Sequence, residues 1–302
     1  MIVYTDLCNR TKNYTLTDEM INTVENQCGV KITTIINPDA EIYWGDKITQ
    51  QHLEVMPNLK WIHLSKTGID KFNLPDNILV TNTPESSDGV AEYAITGMLY
   101  LLRGLHNMPN NRKDFDKNIS NIKPFNQVKC LIVGYGRIGK RILTLLHALD
   151  MNVEYISRNG LDMFKYSKSI ADCDISNFDF IINTLPLTSE TNNYFNTEIF
   201  GKMNKNSYII NVGRGGTINE DDLLNALETK QIRGAFLDVV KDEPVSYDNP
   251  LLKLDNVFIS PHIANAMCNA LDTQVRVFID KLIKYKQKYD KSYSRNRVEP
   301  LR

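Results

Sequence analysis

Short continuous apolar runs alternate along the chain with stretches of helical period, a pattern that predicts parallel strands wrapped by helices. In the N-terminal third, residues 2–4, 32–36, 41–44, 59–64 and 78–80 read as strands, and 17–27 and 48–56 as helices. Residues 87–103 predict a long helix that is polar at its start and apolar around most of its circumference, hence buried. Residues 106–128 are polar, charged and unperiodic, and read as a surface loop or as an arm reaching a partner subunit. Strands are then expected at 130–133, 153–156, 178–183, 208–212, 234–239 and 257–259, with helices after 137 and at 197–203 and 220–229. A last helical pattern over 264–289 puts Leu271, Val275, Phe278, Ile279, Leu282 and Ile283 on one face. The basic tail beyond Lys291 is expected to fray.

One stretch carries chemistry at once. The apolar run Cys130-Leu-Ile-Val133 breaks at Gly134-Tyr-Gly136-Arg-Ile-Gly139, and a helical pattern follows. In such a G-x-G-x-x-G turn the first glycine makes the tight bend and the second lets a pyrophosphate approach the backbone. The third lets helix and strand pack closely. The free N–H groups at the helix start then face the phosphates. No such turn follows the first strand of the chain, so the N-terminal third is expected to bind something other than a nucleotide.

Composition narrows the class. The 302 residues are 42% hydrophobic and 24% charged, with a formal net charge of −1, which suits a globular protein with a substantial core. Nothing in that balance steers the chain toward nucleic acid or a membrane surface, and no apolar run reaches the length of a span. The five cysteines, Cys8, Cys28, Cys130, Cys173 and Cys268, are scattered without metal-ligand spacing. No metal site is expected, and reduced thiols in the cytoplasm are.

Several further motifs follow in order: Leu185-Pro-Leu-Thr-Ser-Glu-Thr191, Asn211-Val-Gly-Arg-Gly-Gly216, Leu237-Asp-Val-Val-Lys-Asp-Glu-Pro244 and Ser260-Pro-His262. With Gly134–Gly139 they make the chain resemble the D-isomer-specific 2-hydroxyacid dehydrogenases, of the glyoxylate/hydroxypyruvate reductase kind, from about Leu59 to His262. The resemblance implies two α/β domains, each a doubly wound, Rossmann-like parallel sheet, with the active site in the cleft between them. A discontinuous substrate-binding domain would take residues 1–98 and 268–302, and the dinucleotide domain 99–267. It implies that Arg214 holds the substrate carboxylate and carbonyl oxygen, that His262 is the catalytic histidine, and that Glu243 pairs with it. Thr67 and Gly68 match the turn whose N–H groups bind the carboxylate. Cofactor contacts are implied at Arg137, Ile138, Leu185, Pro186, Thr191, Val212, Gly213 and Asp238, and a homodimer is expected. The tryptophan that relatives often carry before the fingerprint is absent here.

The residues themselves suit that chemistry. A guanidinium grips a planar carboxylate with two parallel hydrogen bonds, and Arg214 follows an apolar strand, where ligands bind in parallel sheets. Imidazole donates and accepts a proton near neutral pH, and a carboxylate beside it favours the imidazolium. The other histidines, His52, His63, His106 and His147, read as structural. A ribose-binding carboxylate should end the strand near Ile156, but the chain reads Ser157-Arg158. With a guanidinium and a hydroxyl in its place, NADP(H) is expected to be preferred, with NAD(H) accepted. Lys66, where relatives have a small residue, either turns to water or meets a second negative group on the substrate. The expected activity is reduction of a small 2-oxo acid to the D-2-hydroxy acid. The alternative is a nucleotide-sensing interaction protein on the same fold, like the corepressors that keep these residues. Formate dehydrogenase chemistry fits less well, since those relatives have glutamine in place of Glu243.

Overall fold

In the computed structural model, which describes residues 1–9, 15–66, 72, 74–83, 87–105, 122–158, 165–266 and 270–289, the apolar runs become strands. The first part of the chain forms β1 (Ile2–Thr5), α1 (Asp18–Cys28), β2 (Lys31–Thr33), β3 (Ile42–Gly45), α2 (Gln50–Val55), β4 (Trp61–Leu64) and β5 (Leu79–Asn82). These strands make one parallel sheet in the order β2-β1-β3-β4-β5. The chain then builds α3 (Ser87–Leu102), β6 (Lys129–Val133), α4 (Arg137–Ala148), β7 (Asn152–Ile156), β8 (Tyr166–Ser167) and β9 (Phe180–Asn183). It continues through α5 (Thr197–Lys202), β10 (Tyr208–Asn211), α6 (Glu220–Glu228), β11 (Gly234–Leu237) and β12 (Val257–Ile259). These seven strands form a second parallel sheet, in the order β12-β11-β10-β9-β6-β7-β8. Both orders are those of doubly wound sheets, and the second reverses direction between β6 and β9, next to the fingerprint.

Parallel strands need apolar residues on both faces because helices cover both. In the second sheet Cys130, Ile132, Phe180, Ile182, Tyr208 and Ile210 pack toward α3 and α4, with Ala94, Met98, Ile142 and Leu146. Their neighbours Leu131, Val133, Ile181 and Ile209 pack toward α5 and α6, with Ile199, Phe200, Leu223 and Leu227. The alternation within each run therefore feeds two cores at once.

The chain divides into two units, Met1–Ser86 with Met267–Arg302, and Ser87–Ala266. The first division falls before α3, not after residue 98 as expected, because Val90, Ala91, Ala94, Met98 and Leu101 bury in the core of the second sheet. The final helix α7 (Ala270–Tyr289) returns to the first unit. There Phe278 stacks on Trp44 at 4.0 Å and Tyr285 on Trp61 at 4.9 Å, and Lys286 Nζ donates to the carbonyl of Cys28 at 2.7 Å. Residues 264 and 265 are a turn, so the helix starts later than the 264 expected. β8 was not anticipated; two residues are too short for a periodic signal. The segment 106–121 and the tail beyond 289 lie outside the described residues.

Candidate active site

The second unit carries the fingerprint. Gly134, directly after β6, has φ +103°, a region that side chains disfavour. A Cβ on Gly139 would lie 2.1 Å from the Gly134 carbonyl oxygen, so only glycine lets α4 start this close to the strand. A Cβ on Gly136 would meet nothing within 4 Å; the space above that backbone is open. Gly136 caps α4 without any side-chain hydrogen bond. Arg137 is exposed, and Ile138 packs against the core. These are the properties a pyrophosphate cradle needs.

Ser157 and Arg158 follow β7, as expected. The Ser157 N–H donates to the Ser167 carbonyl of β8 at 3.1 Å. Arg158 Nη1 lies 3.1 Å from Glu190 Oε2, with both side chains exposed. Among the described residues, Ser157 and Arg158 after β7 carry no carboxylate, as expected, but the loop after β9 brings the carboxylate of Glu190 to Arg158. That loop is internally braced. Thr191 Oγ1 donates to the Pro186 carbonyl at 2.6 Å, and the Thr188 N–H donates to Thr191 Oγ1 at 2.7 Å. The Leu185 N–H donates to Asn183 Oδ1 at 3.1 Å.

Asn183 belongs to a buried network that sequence reasoning missed. Its Nδ2 donates to Asn211 Oδ1 at 2.9 Å and to Thr217 Oγ1 at 2.6 Å. Asn211 Oδ1 also accepts the Gly213 N–H at 3.1 Å, and Thr217 Oγ1 donates to the Arg214 carbonyl at 2.5 Å. The network ties the ends of β9 and β10 together and fixes the backbone that carries Arg214. Val212 is buried in the core, and the Arg214 guanidinium donates to the Gly213 carbonyl at 2.8 Å. A Cβ on Gly215 would fall 1.9 Å from the carbonyl carbon of Val240, so the Arg214 loop packs directly on the loop that follows β11.

That next loop holds Glu243, whose Oε1 accepts the Val240 N–H at 3.3 Å. Its Oε2 lies 2.9 Å from His262 Nδ1. His262 follows β12 at φ +55°, an uncommon conformation for a residue with a side chain. Asp238, at the end of β11, holds it there. The His262 N–H donates to the Asp238 carbonyl at 3.0 Å. The buried Asp238 carboxylate accepts from Ser260 Oγ at 2.8 Å, the Ile263 N–H at 2.8 Å and the Ala264 N–H at 3.0 Å. Asp238, expected among the cofactor contacts, therefore commits its carboxylate to the histidine loop. Arg214, Glu243 and His262 stand after the carboxyl ends of three adjacent strands, β10, β11 and β12.

In the first unit, Ser65 follows β4, held by Trp44 Nε1 on its hydroxyl at 2.9 Å and by Gln274 Nε2 on its carbonyl at 3.1 Å. The Lys66 ammonium lies 5.6 Å from the centre of the Phe72 ring. Thr67 and Gly68 lie outside the described residues. His63 is fully buried, bonded to the hydroxyls of Thr81 at 2.8 Å and Thr83 at 3.1 Å. Burial, with Lys281 adding to it, pushes its pKa down to about 3. His52 closes the capping box of α2. No helix among the described residues is long and apolar enough to cross a membrane.

Residues 95–264, more than half of the chain, match the family profile described as "D-isomer specific 2-hydroxyacid dehydrogenase, NAD binding domain". A glyoxylate reductase of Thermofilum pendens is 31% identical over 261 residues, covering 79% of this chain and 75% of that protein. A D-3-phosphoglycerate dehydrogenase of Synechocystis is 31% identical over 248 residues, covering 78% of this chain but 44% of that longer protein. An NADPH-dependent glyoxylate/hydroxypyruvate reductase of Sinorhizobium meliloti, solved with NADP and sulfate, superposes with a TM-score of 0.76. It is 22% identical, and the match covers 95% of both chains. The chain therefore belongs to the D-isomer specific 2-hydroxyacid dehydrogenase family of NAD(P)-dependent oxidoreductases.

Proposed function

We propose that this protein reduces a small 2-oxo acid to the D-2-hydroxy acid, with NADPH as its preferred reductant. The observation that carries the reading is the 2.9 Å contact between His262 Nδ1 and Glu243 Oε2 on a loop anchored by Asp238. With Nδ1 committed to the carboxylate, the proton that His262 delivers leaves from Nε2. Glu243 fixes the ring's tautomer and orientation and pairs with the imidazolium. Arg214 binds the planar carboxylate of the substrate and polarises its carbonyl oxygen. The turn Gly134–Gly139 and the start of α4 would hold the pyrophosphate of a nicotinamide cofactor, whose chemistry when bound would be to supply a hydride for the carbonyl carbon. His262 then protonates the carbonyl oxygen as the C–O double bond becomes the single bond of the alcohol, so one hydride and one proton account for the product.

Ser157 and Arg158 support NADP(H) over NAD(H), since a guanidinium and a hydroxyl suit a 2′-phosphate. Lys66 supports a substrate with a second negative group, such as a distal carboxylate. The deciding experiment is turnover with NADPH and a panel of singly and doubly charged 2-oxo acids, run in parallel on His262→Gln. The unmutated protein should turn over at least one of them with D-stereochemistry, and His262→Gln should lower kcat by about 10²–10⁴-fold, the usual worth of a positioned proton donor. Near-normal kcat in the variant would overturn the assignment of His262, and no turnover of any 2-oxo acid would overturn the activity.

A further inference from the structure

We propose that Glu190 is a specificity-determining residue of the nucleotide site, a carboxylate supplied by the loop after β9 that stands in for the one missing after β7. The inference rests on the reading of Arg158 as the group that meets a 2′-phosphate. Glu190 Oε2 lies 3.1 Å from Arg158 Nη1 although 32 residues separate them in the chain. The order β9-β6-β7 places the two loops on either side of the turn Gly134–Gly139, so the ion pair joins the flanks of the fingerprint. The backbone that presents Glu190 is firm. Thr188 and Thr191 bond to each other, Thr191 Oγ1 donates to the Pro186 carbonyl, the Asn192 N–H donates to the Thr188 carbonyl at 2.9 Å, and the Asn193 N–H donates to the Gly216 carbonyl at 2.9 Å. The side chains, by contrast, are 86% and 74% exposed and free to exchange partners at little cost.

Two cofactors would meet this pair differently. A ribose 2′-hydroxyl can donate to the Glu190 carboxylate, the role an acidic residue at the end of the second strand plays in NAD-binding sheets. A 2′-phosphate must share or displace the same guanidinium and lie beside a like charge. Glu190 thus tempers the preference that Arg158 creates and keeps NAD(H) usable. Arg158 pulls toward the phosphate and Glu190 opposes it.

The test is calorimetric titration of the full chain with NADP+ and with NAD+, for the unmutated protein, Glu190→Gln, Glu190→Lys and Arg158→Ala. Glu190→Gln should tighten NADP+ by about three- to tenfold, the size of an exposed charge interaction doubled for a dianion. It should leave NAD+ unchanged or weaker. Glu190→Lys should go further in the same direction, and the gain should shrink at high salt as screening sets in. If Arg158→Ala weakens NADP+ but Glu190→Gln shifts both nucleotides alike or neither, the role of Glu190 is overturned and the reading of Arg158 stands. If Arg158→Ala leaves NADP+ binding untouched, the reading of Arg158 fails and the inference falls with it.

Discussion

The catalytic candidate His262 depends on the buried carboxylate of Asp238. Its φ of +55° persists because the buried Asp238 carboxylate gathers three donors, Ser260 Oγ and the N–H groups of Ile263 and Ala264, around it. All three are acceptor interactions, which a carboxylate makes with both oxygens and an amide makes with one. Asp238→Asn is isosteric but turns an NH2 group toward at least one donor. The expected cost is about 1–3 kcal/mol, from an unsatisfied buried group, and a Tm lower by several degrees. The kcat should fall as well, because the ring of His262 loses its fixed relation to Glu243. Thermal unfolding and steady-state kinetics check both effects, and a variant with unchanged Tm and kcat would contradict this account of the loop.

At the scale of an element, the strand–turn–helix around β6 and α4 separates a glycine that close packing requires from one that faces open space. Gly139 faces the Gly134 carbonyl oxygen at a distance no Cβ tolerates, whereas Gly136 faces open space. Gly139→Ala should therefore push α4 off the sheet and cost about 1–3 kcal/mol or more through overpacking. Gly136→Ala should leave the thermal unfolding temperature within a degree or two of the original, since nothing is displaced. Its methyl group would occupy the surface a pyrophosphate needs, so cofactor affinity should fall at least tenfold. Calorimetry and thermal melts on the two variants should give opposite patterns; equal losses of stability would mean that the turn is packed differently.

Across the whole molecule, the response to acid should depend in part on His63. Its ring is buried in the first unit between two threonine hydroxyls, against Phe278 of α7. The folded pKa of about 3 lies below the unfolded value of about 6.5. The unfolded chain therefore takes up a proton that the folded chain refuses. Stability is fully present above pH 6.5 and is lost as the pH falls toward 3, by at most about 1.4 kcal/mol per pH unit from this group. Urea unfolding at pH 7.5 and 5.5 should show the loss. His63→Gln, less stable throughout, should show a shallower pH dependence, and an equal slope in both proteins would rule out His63 as the source.

What could be read from the chain alone was whatever neighbouring residues write together. The runs around Cys130, Phe180 and Tyr208 are apolar at every position, which already implies strands covered on both faces. The glycines at 134, 136 and 139 state a backbone geometry within six residues, and Arg214, Glu243 and His262 were picked out by their strand-end motifs and by the order of those motifs. Tertiary structure decided the rest, because contacts between distant residues leave no periodic trace. Nothing in the sequence joins Asn183 to Thr217, or Asp238 to the N–H groups of Ile263 and Ala264, yet these bonds place the loops that bear the site. The helix over 87–102 reads as buried from its sequence, but only its packing against Cys130, Phe180 and Tyr208 assigns it to the second sheet. The carboxylate missing after β7 was present all along, 32 residues further on, and only folding brings Glu190 to Arg158.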